Sequence, residues 1–152
     1  MLESKQSVSW GKLIGKKTSY ADDILTYANA HQLQDRLQVF ENVSFADLPI
    51  IFQCASLFAY ISEFEGFGIP VLEAMQSKVL TVTSNVSSLP EVIGNKQQTI
   101  NPSNSDGLVQ FIENKYNNLE TKTLLINEAF LRAEMFNKNH LANTLMDLYK
   151  NI

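Results

Sequence analysis

Cysteine is almost absent from this chain. Cys54 stands alone in 152 residues, so no intramolecular disulfide can form. Its apolar surroundings lead us to expect a small buried hydrophobe rather than a nucleophile. Basic charge is scarce as well. Twelve Lys and Arg against 16 Asp and Glu leave a net charge of −4, which excludes the basic face of a general nucleic-acid binder. Small anions are not excluded, because a few local amides and lysines can hold a phosphate on an acidic protein. Long apolar runs are missing too. The longest, residues 48–61, is interrupted by Pro49, Gln53 and Ser56 and is too short to span a bilayer, so no transmembrane segment is expected. The opening MLESKQSVSWGKLIGKK has no apolar centre of the signal-peptide kind. The expectation is a soluble cytoplasmic protein in which the sequons at Asn42 and Asn85 stay idle. There is no G-x-G-x-x-G, which argues against a nicotinamide or flavin enzyme. His31 and His140 lie far apart without ligand spacing, so no metal site is expected.

What is present is a globular composition, 45% hydrophobic and 18% charged. The length suits one domain over residues 1–152, burying roughly 68–70% of its extended surface. Short β-rich runs alternate with helical patterns. Strands are expected at 12–15, 36–41, 56–62, 79–84 and 98–101. Helical segments are expected at 19–32, 46–55, 69–78 and 88–94, and the chain turns helical throughout after Pro102. Strands separated by single helices predict an α/β fold, a Rossmann-like parallel sheet with helices on both faces and a helical C-terminal tail. GKLIGKKT (11–18) approaches the spacing of a phosphate-binding P-loop and fails it. Three residues rather than four separate Gly11 from Gly15, Lys17 precedes Thr18, and Leu13-Ile14 suits a strand. Lys12, Lys16 and Lys17 read as a solvated turn, Asp22-Asp23 as an acidic first helical turn, and Phe130, Met135 and Phe136 as core.

One stretch does not fit ordinary packing: EFEGFGIPVLEAM, residues 63–75. It connects the end of a strand to the start of a helix, and ligands of open α/β sheets bind beyond the carboxyl ends of the strands. Gly66 and Gly68 let the backbone approach a ligand or take positive φ. Pro70 suits the first helical turn. The helix start offers free amides and a positive dipole end, a natural phosphate site. Glu73 is expected in the first helical turn and Glu65 on the loop side of the same mouth. Two carboxylates for sugar hydroxyls beside one phosphate-binding helix start suit a nucleotide sugar. A first-turn glutamate is also favoured by the dipole alone, by roughly 0.3–1 kcal/mol, and loop glycines need no ligand.

The same residues carry a resemblance. EGFGIPVLEAM (65–75), followed by SNVSSLPEVIG (84–94) and preceded by ENVSFADLPIIFQCASLFAYIS (41–62), resembles the C-terminal, donor-binding domain of the retaining GT-B, or group 1, glycosyltransferases. The hallmark is Glu, seven residues, Glu, here Glu65 and Glu73. The resemblance implies that Glu73 binds the ribose hydroxyls and that Glu65, the catalytic candidate, contacts the donor sugar. It also implies that the amides of Phe67 and Gly68, with Gly66 beside them, face the sugar. The Ile69 amide would face the diphosphate, and the segment around Val43 would lie against the nucleobase. The substrate would be a nucleotide-diphosphate sugar, transferred with retention of configuration, with no cofactor and no metal.

The sequence departs from this pattern at its start. The family's first strand of this domain, with the Arg and Lys that clasp the diphosphate, is not recognisable in MLESKQSVSW. The acceptor domain is not recognisable either, so it is expected to be missing or on another chain. Losing two charged contacts, each worth roughly 1.5–3 kcal/mol, weakens donor binding by orders of magnitude. The chain alone is therefore expected to be inactive, and an uncovered sheet edge to favour self-association. The alternative is a non-catalytic truncated domain that binds nucleotide sugar weakly or only assembles with a partner.

Overall fold

The structure, a computed structural model, describes residues 11–16 and 18–151. The chain divides into two compact units, one up to Leu48 and the other from Pro49 onward. The first holds a βαβ arrangement: β1 (Gly11–Ile14), α1 (Ser19–Ala30) and β2 (Leu37–Phe40). The strands run parallel, with Gly11 opposite Leu37 and Ile14 opposite Phe40. GKLI is thus strand, as its apolar pair suggested, and not a phosphate loop. Asp22 lies in the first turn of α1.

The second unit follows from α2 (Leu48–Cys54) with β3 (Phe58–Tyr60), α3 (Ile69–Gln76), β4 (Thr81–Ser84), α4 (Leu89–Ile93) and β5 (Thr99–Ile100). Then come α5 (Ser105–Phe111), running into a π-helical turn (Ile112–Tyr116), α6 (Leu119–Glu134) and α7 (Lys138–Lys150). β3, β4 and β5 pair in parallel, in that order. All four residues of β4 are buried, as a parallel strand flanked on both edges and covered on both faces requires. One cluster joins Val71 and Met75 of α3 to Leu89, Val92 and Ile93 of α4 and Ala129 and Ala133 of α6. A second joins Leu80 and Val82 to Phe111 and Leu125.

The expected single sheet is hydrogen-bonded as two ladders among the described residues, β1–β2 and β3–β4–β5. In a doubly wound sheet the first strand is central. The segment where that strand was sought, MLESKQSVSW, lies outside the described residues, as does Lys17. Lys12 sits within β1, its Nζ 5.7 Å from the Phe40 ring centroid. Other expectations also change. Cys54 is exposed, not buried. Phe130 and Phe136 are half-buried and Met135 is exposed, so none of the three is core. Lys78 Nζ stands over the Phe130 ring at 4.5 Å. Both histidines are exposed, His31 against Tyr27 at 4.2 Å.

Candidate functional site

The loop between β3 and α3 carries the motif, and its shape is dictated from both ends. Gly68 caps α3 with φ +102°, a left-handed conformation that glycine takes without strain. A Cβ there would stand 2.6 Å from Leu89 Cδ2. Conformation and space therefore both require glycine at 68. Gly66 differs from expectation: it has no positive φ, and a Cβ would meet nothing within 4 Å. Pro70 occupies the first positions of α3, where a missing N–H costs nothing. Val71, Ala74 and Met75 face the core. The helix closes with Lys78 N–H bonded to Met75 O and Val79 N–H to Ala74 O, with Lys78 at φ +57°. That is a Schellman ending with lysine in the left-handed position.

Upstream, β4 holds the loop's departure from β3. Thr83 Oγ1 donates to Tyr60 O at 2.9 Å, and Ser84 Oγ donates to Ser62 O. Downstream, the serines of SNVSSLPE hold its middle. Ser87 Oγ accepts from Glu65 N–H at 3.2 Å and donates to Glu65 O at 2.6 Å. Ser88 Oγ reaches Glu65 O at 3.0 Å and Phe67 O at 3.1 Å. Ser87 has φ +58°, a conformation that costs a non-glycine residue roughly 1–2 kcal/mol. On the outer side, Phe67 meets Phe136 edge-on at 5.6 Å. The guanidinium of Arg132 lies 5.1 Å over the same Phe136 ring, and its Nη2 donates to Glu91 O at 2.7 Å.

The carbonyls of Glu65, Phe67 and Gly68 and the amide of Glu65 are thus engaged. Among the described residues, the N–H groups of Gly66, Phe67, Gly68 and Ile69 donate no hydrogen bond. Four neighbouring amides at a helix start suit an oxygen-rich anion. Two carboxylates flank them in the chain. Glu65 is half-buried, and its Oε1 accepts from the Tyr60 hydroxyl at 2.7 Å. The Tyr60 hydroxyl is pushed up to about 12 by burial first, then by this hydrogen bond and the carboxylate's charge. It therefore stays a donor throughout the physiological range. Glu73 is half-buried on α3 and has no side-chain partner among the described residues. It is not in the first turn, which holds no acid. α3 starts at Ile69, so Glu73 falls in the second turn. The dipole effect fades within the first turn, so helix capping gives no account of this carboxylate.

The structure brings Glu65, Gly66, Phe67, Gly68 and Ile69 together on one loop and puts Glu73 one turn into the helix that follows. Val43 lies in the other unit, half-buried in the loop after β2. Sequence reading missed Tyr60, Ser87 and Phe136 as parts of this neighbourhood. The serines had been quoted only for resemblance, Tyr60 read as an ordinary strand residue and Phe136 as core. Among the described residues no helix is long and apolar enough to cross a membrane.

Comparison with known proteins places the fold and the family. The chain is 33% identical over 104 residues to O-antigen chain mannosyltransferase B of Escherichia coli, covering 68% of this chain and 27% of that protein. It is 32% identical over 98 residues to O-antigen chain mannosyltransferase RfbU of Salmonella typhimurium, covering 64% and 28%. The chain thus spans little more than a quarter of the length of each of these two relatives. Among solved structures, Anabaena HepE in complex with UDP superposes with a TM-score of 0.83 at 16% identity, over 95% of this chain and 41% of that one. A glycosyltransferase from Rickettsia africae gives 0.81 at 20% identity, over 97% and 41%. Residues 7–132 match the family described as glycosyl transferases group 1. With the Rossmann-like fold, the strand-to-helix loop and these matches together, the chain belongs to the group 1 glycosyltransferases.

Proposed function

We propose that this chain forms the donor half-site of a retaining glycosyltransferase that moves a hexosyl group from a nucleotide diphosphate to a glycan-type acceptor. The observation that carries this is the run of four unengaged amides, 66–69, bracketed in sequence by Glu65 and the unpartnered Glu73. Glu73 takes the ribose diol. Glu65 takes hydroxyls of the donor sugar. The Phe67 and Gly68 amides face the sugar and the Ile69 amide the diphosphate. The assignment of Val43 to the nucleobase rests on the resemblance alone. The mannosyltransferase names of two relatives above 30% identity support mannose as the sugar.

In the reaction, the bond between the anomeric carbon and the phosphate oxygen breaks and the acceptor oxygen bonds to that carbon on the same face. The acceptor proton passes to the departing phosphate. Amides stabilise the charge developing on that phosphate, and no metal is invoked. The residues described above form the donor side of that reaction. Self-association through a sheet edge belongs to the same reading. Light scattering that finds only monomer would remove that last element.

Ligand-observed NMR of the chain with UDP, GDP and ADP, each with and without an attached hexose, tests the reading. Saturation transfer to one base and its ribose, lost in Glu73→Gln, is the expected result. Glu65→Gln should weaken only the sugar-bearing donor. A folded chain that binds none of the panel would instead favour a domain that only assembles with a partner.

A further inference from the structure

The Tyr60 hydroxyl reaches the Glu65 carboxylate from a rigid element. Tyr60 ends β3, where its backbone O accepts from the buried Thr83. Its ring stacks on Phe58 at 5.9 Å and packs against the cluster of Val71, Met75 and Leu89. Phe58 is held in turn by Phe52, edge-on at 5.1 Å. The ring has little freedom, and a packed aromatic ring carries its hydroxyl to a fixed point. Glu65 is held at its other end as well, because Ser87 engages both its N–H and its C=O. A glutamate side chain has three rotatable bonds and would otherwise sample several rotamers. Here backbone and carboxylate are both tied. One oxygen is engaged by Tyr60, and Oε2 has no partner among the described residues.

We propose that Tyr60 is a positioning residue of this site: its hydroxyl fixes the Glu65 carboxylate in one orientation, so that a bound hexose meets an acceptor already in place. The inference rests on the reading of Glu65 as the sugar-contacting carboxylate. Tyr60 touches no substrate and acts only through Glu65. An ordered acceptor spares the ligand the entropy of ordering it. Tyr60 thus bears on the sugar-bearing donor and leaves the bare nucleotide alone.

Two measurements on the full chain decide the matter. The first needs no ligand: NMR scalar couplings report the Glu65 χ1 and χ2 angles in wild type and in Tyr60→Phe, which keeps the ring and its contact with Phe58. One rotamer in wild type and averaging in the variant are expected. Unaltered couplings would overturn the proposal. The second is the affinity ratio of GDP-mannose to GDP and of UDP-glucose to UDP. Tyr60→Phe should lower that ratio about three- to tenfold for the pair that binds, and should lower it no further in a Glu65→Gln background. A full additional loss in that background would overturn action through Glu65, because a purely structural role for the tyrosine adds to the loss of the carboxylate. If wild type binds none of these probes, it is the function reading that fails, and the couplings alone decide whether Tyr60 fixes Glu65.

Discussion

Both compact units contain parallel strands joined by a helix, yet among the described residues only one of them has a buried centre. Between Gly11 and Leu48, Ala28 is the one described residue that is fully buried, and three of the four residues of β1 are exposed. In the second unit all of β4 is buried, and two apolar clusters close around it, one from α3, α4 and α6, the other from α5 and α6. The difference teaches that a parallel strand becomes core only when it has neighbours on both edges and helices on both faces. β4 lies between β3 and β5, whereas among the described residues β1 has one neighbour. The motif loop belongs to the unit with the core, and an interior of that kind can hold a loop to within fractions of an ångström.

Truncating the core gives the largest expected contrast. Leu80→Ala should cost about 2–5 kcal/mol, and Val39→Ala in the half-buried β2 much less, as read by denaturant unfolding. Similar costs would erase the distinction between the units. Gly68→Ala comes next. The added methyl meets Leu89 Cδ2 at 2.6 Å in a left-handed backbone, for a loss of about 1–3 kcal/mol and of nucleotide binding. Leu89→Ala in the same chain should restore part of the binding. If Gly68→Ala binds nucleotide normally, the close packing of loop on α4 does not matter to the site.

Hydrogen exchange sharpens the comparison without mutation. Paired amides of β1 and β2 should exchange at least about tenfold faster than those of β4, since less-packed regions open at lower free energy. Equal protection would mean that the first unit is stabilised by something other than burial. The smallest effect is alkaline. Burial, then the Glu65 carboxylate, pushes the Tyr60 hydroxyl up to about 12 in the folded chain, from the ordinary 10.0. Below 10 it is protonated in both states, so its stabilisation is fully present. Between about 10 and 12 the unfolded chain loses the proton first, and stability falls as pH rises. Tyr60→Phe should remove that portion of the alkaline slope, seen as a difference between the two proteins in chemical denaturation across that range.

The parts legible in sequence were those governed by local pattern. VLTVTS, a run of β-branched residues, became the buried β4. IPVLEAM, with proline at its start and Val71, Ala74 and Met75 on one face, became α3. A glycine of positive φ between strand and helix was readable, but not that Gly68 rather than Gly66 takes it. What was not legible depends on atoms far apart in the chain. Ser87 meets Glu65 across 22 positions, and no periodicity encodes that. Tyr60 read as an ordinary strand residue because its ring packs against the core; the partner of its hydroxyl lies in the loop beyond the strand. Cys54 misled because Phe52 marks the buried side of α2, and two residues on, about 200° around the helix, is the opposite side. Glu73 was a matter of counting from a helix start that lies at Ile69. The split into two ladders follows from strand neighbours, which local periodicity does not encode.

The contact between Phe67 and Phe136 has a consequence for the order in which the protein is made. Every residue of the motif loop leaves the ribosome well before Phe136 does. A nascent chain that has reached Asn101 already carries Glu65, Gly68, Glu73 and both serines. It does not yet carry α6, whose Leu125, Ala129 and Ala133 complete both clusters, nor the ring on which Phe67 rests. The loop is therefore written early in synthesis and braced late. A fragment that keeps the whole motif but ends before α6 has the residues of the site without the buttress that holds them in place.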